Sequence, residues 1–217
     1  MVVQGMGGIM SVTGHPGTPP TRIGMSIGDI GSGLYATIGV QAALFHRQLT
    51  GEATKVDIGM LDCQLALLEN AVMRYQVSGT APGPLGARHP SITPFEAYKT
   101  KDGYIIISAG NDGLFAKLAE ALENPGWAEN PDYSSNDNRN KHVEKLKIEM
   151  ESVLTAHTTS HWIEVLDKFG VPSGPINDVG QAATHPQTIA RNMIVSVDDP
   201  ITGPMKVAGN PIKISGF

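Results

Sequence analysis

The stretch Ile23–Gly51, IGMSIGDIGSGLYATIGVQAALFHRQLTG, decides how the rest of the chain is read. Apolar residues at Ile30, Leu34, Ile38 and Ala42, widened by Ala36, Val40 and Leu44, recur at helical spacing over about five turns. His46, Arg47 and Gln48 place polar and cationic groups in the last turn, and Gly51 follows as a left-handed cap. The spacing therefore predicts a helix from Ile30 to Gln48, buried along most of its length, with Asp29 as its N-cap or the neighbour of the cap. Glycines at 24, 28, 31, 33 and 39 surround or follow that carboxylate. A helix start tolerates so much glycine where the backbone must turn sharply or another group must come close. Spacing alone leaves Asp29 two readings. It is a cap worth about 0.5–2 kcal/mol relative to alanine, or it is a reactive anion, its charge favoured by ~0.3–1 kcal/mol at a helix N-terminus.

Outward from this helix the texture changes several times. Residues 1–22 mix apolar positions with Gly7, Gly8, Gly14, Gly17, Pro16, Pro19 and Pro20 and read as loop and turn. Lys55–Met60 alternates like a short strand and Leu61–Val77 reads as a second apolar helix, so helix, strand and helix suggest an α/β layer. Ser78–Pro94 has no periodicity and is a linker or functional loop. Phe95–Lys99 and Tyr104–Ser108 read as strands around the turn Thr100–Gly103, opening a new subdomain. Helices are predicted over Asp112–Leu122, Lys141–Ala156 and from the hydroxyl caps Thr158–Ser160 to Phe169, with a polar loop over Asn124–Asn140. The remainder reads as turn (GVPSGPINDV), short helix and two strands, ending in the strand-like NPIKISGF. Both ends read as cut from a longer chain.

The totals exclude several classes. A chain of 217 residues with 41% hydrophobic content can bury a sizeable core. A net charge of −5 gives no footprint for wrapping nucleic acid or an anionic membrane. No apolar run approaches the roughly 20 residues that span a bilayer, and the N-terminus lacks the pattern of a signal peptide. The single cysteine, Cys63, cannot form an internal disulfide and points to a reducing compartment, the cytoplasm. The histidines form no HExxH motif, so no metal is expected.

Taken in order, Gly7–Gly14 (GGIMSVTG), the Pro-Pro with Arg22 and Gly24, the GDIGSG turn, the helix ending in HRQLTG, the KVDIGMLDC run, the KTKDG hairpin, GVPSGPINDV and NPIKISGF resemble the class III CoA-transferases of the CaiB–BaiF type. Formyl-CoA and carnitine CoA-transferases belong to that family, and alpha-methylacyl-CoA racemase shares its fold. The resemblance covers nearly the whole chain. It implies an α/β fold, here part of a Rossmann-like large domain (1–85) with the catalytic aspartate, a smaller α+β domain (86–192), and a segment (193–217) returning to the first. It also implies that an N-terminal portion supplying much of the CoA site is absent, and that full-length subunits interlock as a homodimer.

By the same resemblance, Asp29 is the nucleophile that carries CoA as an aspartyl thioester between an acyl-CoA donor and a carboxylic acid acceptor. No prosthetic group is implied, because CoA arrives with the substrate. Gly28 and Gly31 would admit the thioester, and Gly86 and His89 fall in the loop that closes over the acyl intermediate, although this chain has fewer consecutive glycines there than formyl-CoA transferases. The rival readings are a racemase, disfavoured because Gly5, preceded by Gln4, stands where racemases carry a basic histidine, and a non-catalytic assembly module.

Overall fold

The computed structural model describes residues 1–216, which divide into two compact units, Met1–Ser91 and Ile92 onward. In the first unit the described residues form helices and irregular chain only: α1 (Val2–Met6), α2 (Ile9–Val12), α3 (Ile27–Thr50), α4 (Met60–Leu67) and α5 (Asn70–Ser78). Helix α3 begins after Ser26 and ends at Gly51, which takes φ 78° and donates its N–H to Arg47 O. The expected stop is therefore the observed one, and the helix is slightly longer than its apolar spacing predicts.

Four expectations for this unit are corrected. Residues 1–22 contain α1 and α2, two short helices separated where Gly8 adopts φ 82°. Lys55–Met60 forms no strand, since among the described residues of this unit no other strand offers a ladder; its alternation instead points Val56 and Ile58 at Gly39 of α3. The apolar run after it breaks into α4 and α5 at Leu68 and Glu69, the latter at φ 31°. Finally, α3 buries only Gly28 and Gly31, while Leu34, Ile38, Phe45 and Leu49 are 61–70% exposed. Along a glycine edge it meets α4 and the segment before it, where Cβ atoms on Gly31 and Gly39 would each lie 2.8 Å from a neighbouring side chain, of Leu67 and Val56. The bulkier apolar faces have no cover among the described residues.

The second unit follows its sequence more closely. Strands β1 (Phe95–Lys99) and β2 (Tyr104–Ser108) pair antiparallel from Phe95↔Ser108 to Lys99↔Tyr104. Thr100 N–H donates to Gly103 O across the turn. The elements α6 (Asp112–Ala121), α7 (Gly126–Glu129), α8 (Asn136–Lys141), α9 (Val143–Leu154), α10 (Thr159–Lys168), β3 (Ser173–Pro175), α11 (Val179–Thr184), α12 (Pro186–Ala190), β4 (Ile194–Asp199) and β5 (Gly203–Ala208) come after. Three corrections apply. The predicted loop 124–140 holds α7 and α8. The predicted turn holds β3, which extends the sheet in the order β1-β2-β3, and the strand-like terminal run holds no strand among its described residues. No helix among the described residues is long and apolar enough to cross a membrane.

The core of this unit joins Tyr98, Ile105 and Ile107 of the sheet to Phe115, Leu118 and Leu122 from α6 and its C-cap, to Leu146, Met150 and Leu154 of α9, and to Trp162 and Leu166 of α10. Each such side chain contributes roughly 1.5–3 kcal/mol on full burial. Trp162 meets the polar demand of its indole by donating to Leu154 O at 2.7 Å. Arg139 of α8 is fully buried and acts as a hub. Its Nε donates to Thr93 O at 2.7 Å, Nη1 to Tyr133 O at 2.9 Å, and Nη2 to Gly110 O and Asp112 Oδ1 at 3.0 and 2.9 Å, with the guanidinium 4.5 Å over the Phe115 ring.

Carboxylates fasten the surface of this unit. Asp102, in the β1–β2 turn, accepts from the Thr159 N–H and Oγ1 at the start of α10, and that backbone bond holds its pKa below the ordinary value. Asp132 is lowered by the hydrogen bond from Lys145, and Asp199 by the Thr202 and Ile201 N–H groups of the β4–β5 turn. A carboxylate lowered in the folded state contributes stability that is complete above its unfolded value, 3.8, and is lost as the pH falls through the folded value. Urea midpoints of the intact protein are therefore expected to be flat from pH 7 to about 5 and to fall below about pH 4. The fall should be shallower in Asp102→Asn. An equal acid slope in parent and variant would remove Asp102 from this role.

Candidate active site

Asp29 is the third residue of α3, one turn past the cap Ser26 rather than at the cap itself. The entry segment is held by backbone bonds: Ile27 N–H donates to Met25 O, and Asp29 and Ile30 N–H both donate to Ser26 O. Among the described residues, Gly28 N–H has no acceptor and the Asp29 carboxylate accepts no hydrogen bond. The side chain of Asp29 is exposed, so it is not consumed as a cap and remains available.

A second anchor comes from α1. Gln4, only 4% exposed, accepts from Ile23 N–H at 3.1 Å and donates to Met25 O at 3.4 Å, so its amide fixes the strip of chain that delivers Asp29. Arg22 turns its guanidinium onto Ile23 O and Gly24 O. Together Val3, Gln4, Arg22, Ser26, Gly28, Asp29 and Met60 line a pocket of about 200 Å³. A carboxylate, a guanidinium and a helix N-terminus with a spare amide thus line one small space. Such a space can hold an acyl group and steady negative charge on its oxygens.

Of the residues singled out from sequence, Gly28 and Asp29 share this pocket and the others do not. Gly31 serves packing, its Cα face lying against Leu67, and Gly28 is similarly closed by Gln64 and Met60. Gly33, in the second turn, faces open space. Gly86 and His89 lie in the 79–94 loop. Gly86, at φ 66°, donates its N–H to Gly14 O and is covered by the His15 ring, while His89 Nδ1 accepts from Ser91 N–H at 3.2 Å. A Cβ at Gly86 would sit 2.8 Å from His15 Nδ1 and would hold a left-handed backbone. Gly86→Ala is expected to cost about 1–2 kcal/mol locally and to raise hydrogen exchange and proteolysis across residues 83–90. Unchanged exchange there would show that the loop is not latched at this point.

Sequence reasoning missed Gln4, Met60 and Gln64 as members of the site and its wall. A faint signal was present, since Gln4 and Gln64 are lone amides in the apolar runs MVVQGM and LDCQLAL. A lone amide in such a run must find a partner or stay unsatisfied.

The model of CoA-transferase family III matches residues 1–217. The chain belongs to that family. It is 39% identical over its whole length to the acetyl-CoA:oxalate CoA-transferase of Acetobacter aceti, covering 54% of that protein. It is 36% identical over 91% of its length to the succinate–glutarate CoA-transferase of Agrobacterium fabrum, covering 49%. A solved CaiB/BaiF family protein from Brucella suis superimposes with a TM-score of 0.81 at 36% identity, over 99% of this chain and 55% of that one. The mixed helix and strand fold is thus that of the CaiB/BaiF family. The chain spans about half the length of the relatives it matches.

Proposed function

We propose that the intact protein is a CoA-transferase that moves CoA from an acyl-CoA donor to a carboxylic acid acceptor, with Asp29 as nucleophile. The observation that carries the reading is the exposed Asp29 carboxylate in the first turn of α3, sharing a pocket with Arg22 and the Gly28 amide. One Asp29 oxygen attacks the thioester carbonyl; a C–O bond forms, the C–S bond breaks and CoA departs as thiolate, leaving a mixed anhydride. The thiolate then attacks the Asp29 carbonyl, the anhydride C–O bond breaks, and the donor acid leaves as carboxylate. The resulting aspartyl-CoA thioester is attacked by the acceptor carboxylate, and the two steps run in reverse. Each step exchanges one anion for another, so the reacting atoms need no proton transfer.

That absence of proton traffic matches the pocket, whose other polar side chains are an amide, a hydroxyl and a guanidinium. Gly5, standing where a racemase would carry a histidine, has no side chain to serve as a base, and the neighbouring Gln4 is a carboxamide. The acids exchanged belong to the small mono- and dicarboxylic class that the relatives' names describe, and CoA enters only as part of the substrate. The exposed apolar face of α3 supports a second copy as partner, and the 217 residues alone are not expected to turn over. The test is to mix intact protein with acyl-CoA and measure the mass of the peptide containing Asp29. A CoA adduct on that residue supports the reading, whereas an adduct elsewhere, or none, removes Asp29 as nucleophile.

A further inference from the structure

Gln64 of α4 is fully buried, and neither its Oε1 nor its Nε2 has a hydrogen-bond partner. Such an amide is costly, and an apolar side chain of the same length would pack there without that penalty. Its place is specific. The stem lies against Gly7, where an added Cβ would come within 2.6 Å of Gln64 Cβ, and Nε2 ends 3.0 Å from where a Cβ on Gly28 would be. Gly28 precedes Asp29, and Met60, one turn before Gln64 on α4 and 38% exposed, lines the Asp29 pocket. The orphaned amide therefore lies just behind the pocket wall made by Gly28 and Met60, beside a Gly28 N–H that also lacks an acceptor among the described residues.

Resting on the reading of Asp29 above, we propose that Gln64 is the oxygen-binding group of this site, its Nε2–H donating to an oxygen of the acyl group once the pliant thioether of Met60 shifts aside. Methionine suits that movement because its unbranched chain re-packs at low cost. Gly28 suits it because a Cβ would stand between the amide and the ligand. Two oxygens have the required chemistry, namely the one that becomes negative at the reacting carbonyl and the remote carboxylate of a dicarboxylic acid. Both would also be within the influence of the α3 N-terminus.

The experiment uses intact protein, with acetyl-CoA and succinyl-CoA as donors and the rate of adduct formation on Asp29 as readout, alongside urea unfolding. Gln64→Met keeps length and removes the polar atoms, so its unfolding midpoint should hold or rise while adduct formation falls about 10²-fold, as for loss of one oxyanion donor. A fall with both donors assigns the oxygen to the reacting carbonyl, and a fall with succinyl-CoA alone assigns it to the remote carboxylate. Met60→Leu, similar in volume but stiffer, is a second arm independent of Gln64 folding and should slow the same step. Parental rates in the folded variants would overturn the inference while leaving Asp29 in place. A parent that forms no Asp29 adduct would instead overturn the underlying reading.

Discussion

Arg139→Met is expected to destabilise the second unit by about 3–5 kcal/mol, the range for breaking a buried hydrogen-bonded charge. The side chain reaches three backbone carbonyls, Thr93 O, Tyr133 O and Gly110 O, and the Asp112 carboxylate. Methionine fills much of the volume yet returns none of those bonds, so the carbonyls lose donors, those of Thr93 and Tyr133 in buried surroundings. Each buried acceptor left open costs about 1–3 kcal/mol, and the three do not add fully because the chain relaxes. Against a total stability of roughly 5–15 kcal/mol, such a loss removes a large share of the margin that keeps the unit folded. Arg139→Lys should recover only part of it, since one ammonium cannot match a planar fork directed at four acceptors. The contact over Phe115 is weakened in both variants. Urea titration monitored by Trp162, buried in the same core, reads the effect. A loss below about 1 kcal/mol in the methionine variant would show that the hub is dispensable.

Arg139 also marks where sequence reading stops. Its α8 sits in a stretch of Asn, Pro, Asp and Ser that reads as polar loop. The short helix exists because Ser135 caps it, accepting from Asn138 N–H, and because the arginine it carries is buried by partners far away in sequence. The hairpin β1–β2 and helices α6, α9 and α10 were legible because each carries its own period and its own stop, such as Thr158 accepting from His161 N–H and Gly170 at φ 66°. Lys55–Met60 failed for the opposite reason. Alternation records only that two faces differ, and here one face meets a helix at Gly39 with no strand alongside among the described residues. The break at Leu68 and Glu69 has no glycine or proline to announce it. Asp29 stood out in the sequence as a candidate, whereas the residues that share its pocket did not. That Gly28 and Gly31 serve helix packing, and that Gln4 holds the entry strip, depends on contacts across many residues that no local pattern encodes.

Asp29→Ala is expected to reduce CoA exchange by the intact protein by on the order of 10⁴–10⁶-fold, the scale at which removal of a covalent nucleophile is felt. The fold should barely notice. Asp29 is exposed and accepts no hydrogen bond among the described residues, so its deletion removes only a favourable charge at the α3 N-terminus, about 0.3–1 kcal/mol. A cap would behave differently, costing stability without touching turnover, and for that reason the pair of measurements separates the two readings that spacing left open. Asp29→Asn is the weaker variant, because slow hydrolysis of the amide regenerates the acid and restores activity with time. Arg22 supplies an internal comparison. It lines the same pocket but carries no bond that is made or broken, so Arg22→Gln should lower the rate by about 10–10³-fold, as for loss of one group that steadies charge, while leaving the Asp29-linked CoA adduct detectable by mass. An alanine variant of Asp29 that still exchanges CoA at a tenth of the parental rate or faster, with its fold intact, would assign the nucleophile to another residue and return Asp29 to the helix terminus as a structural charge.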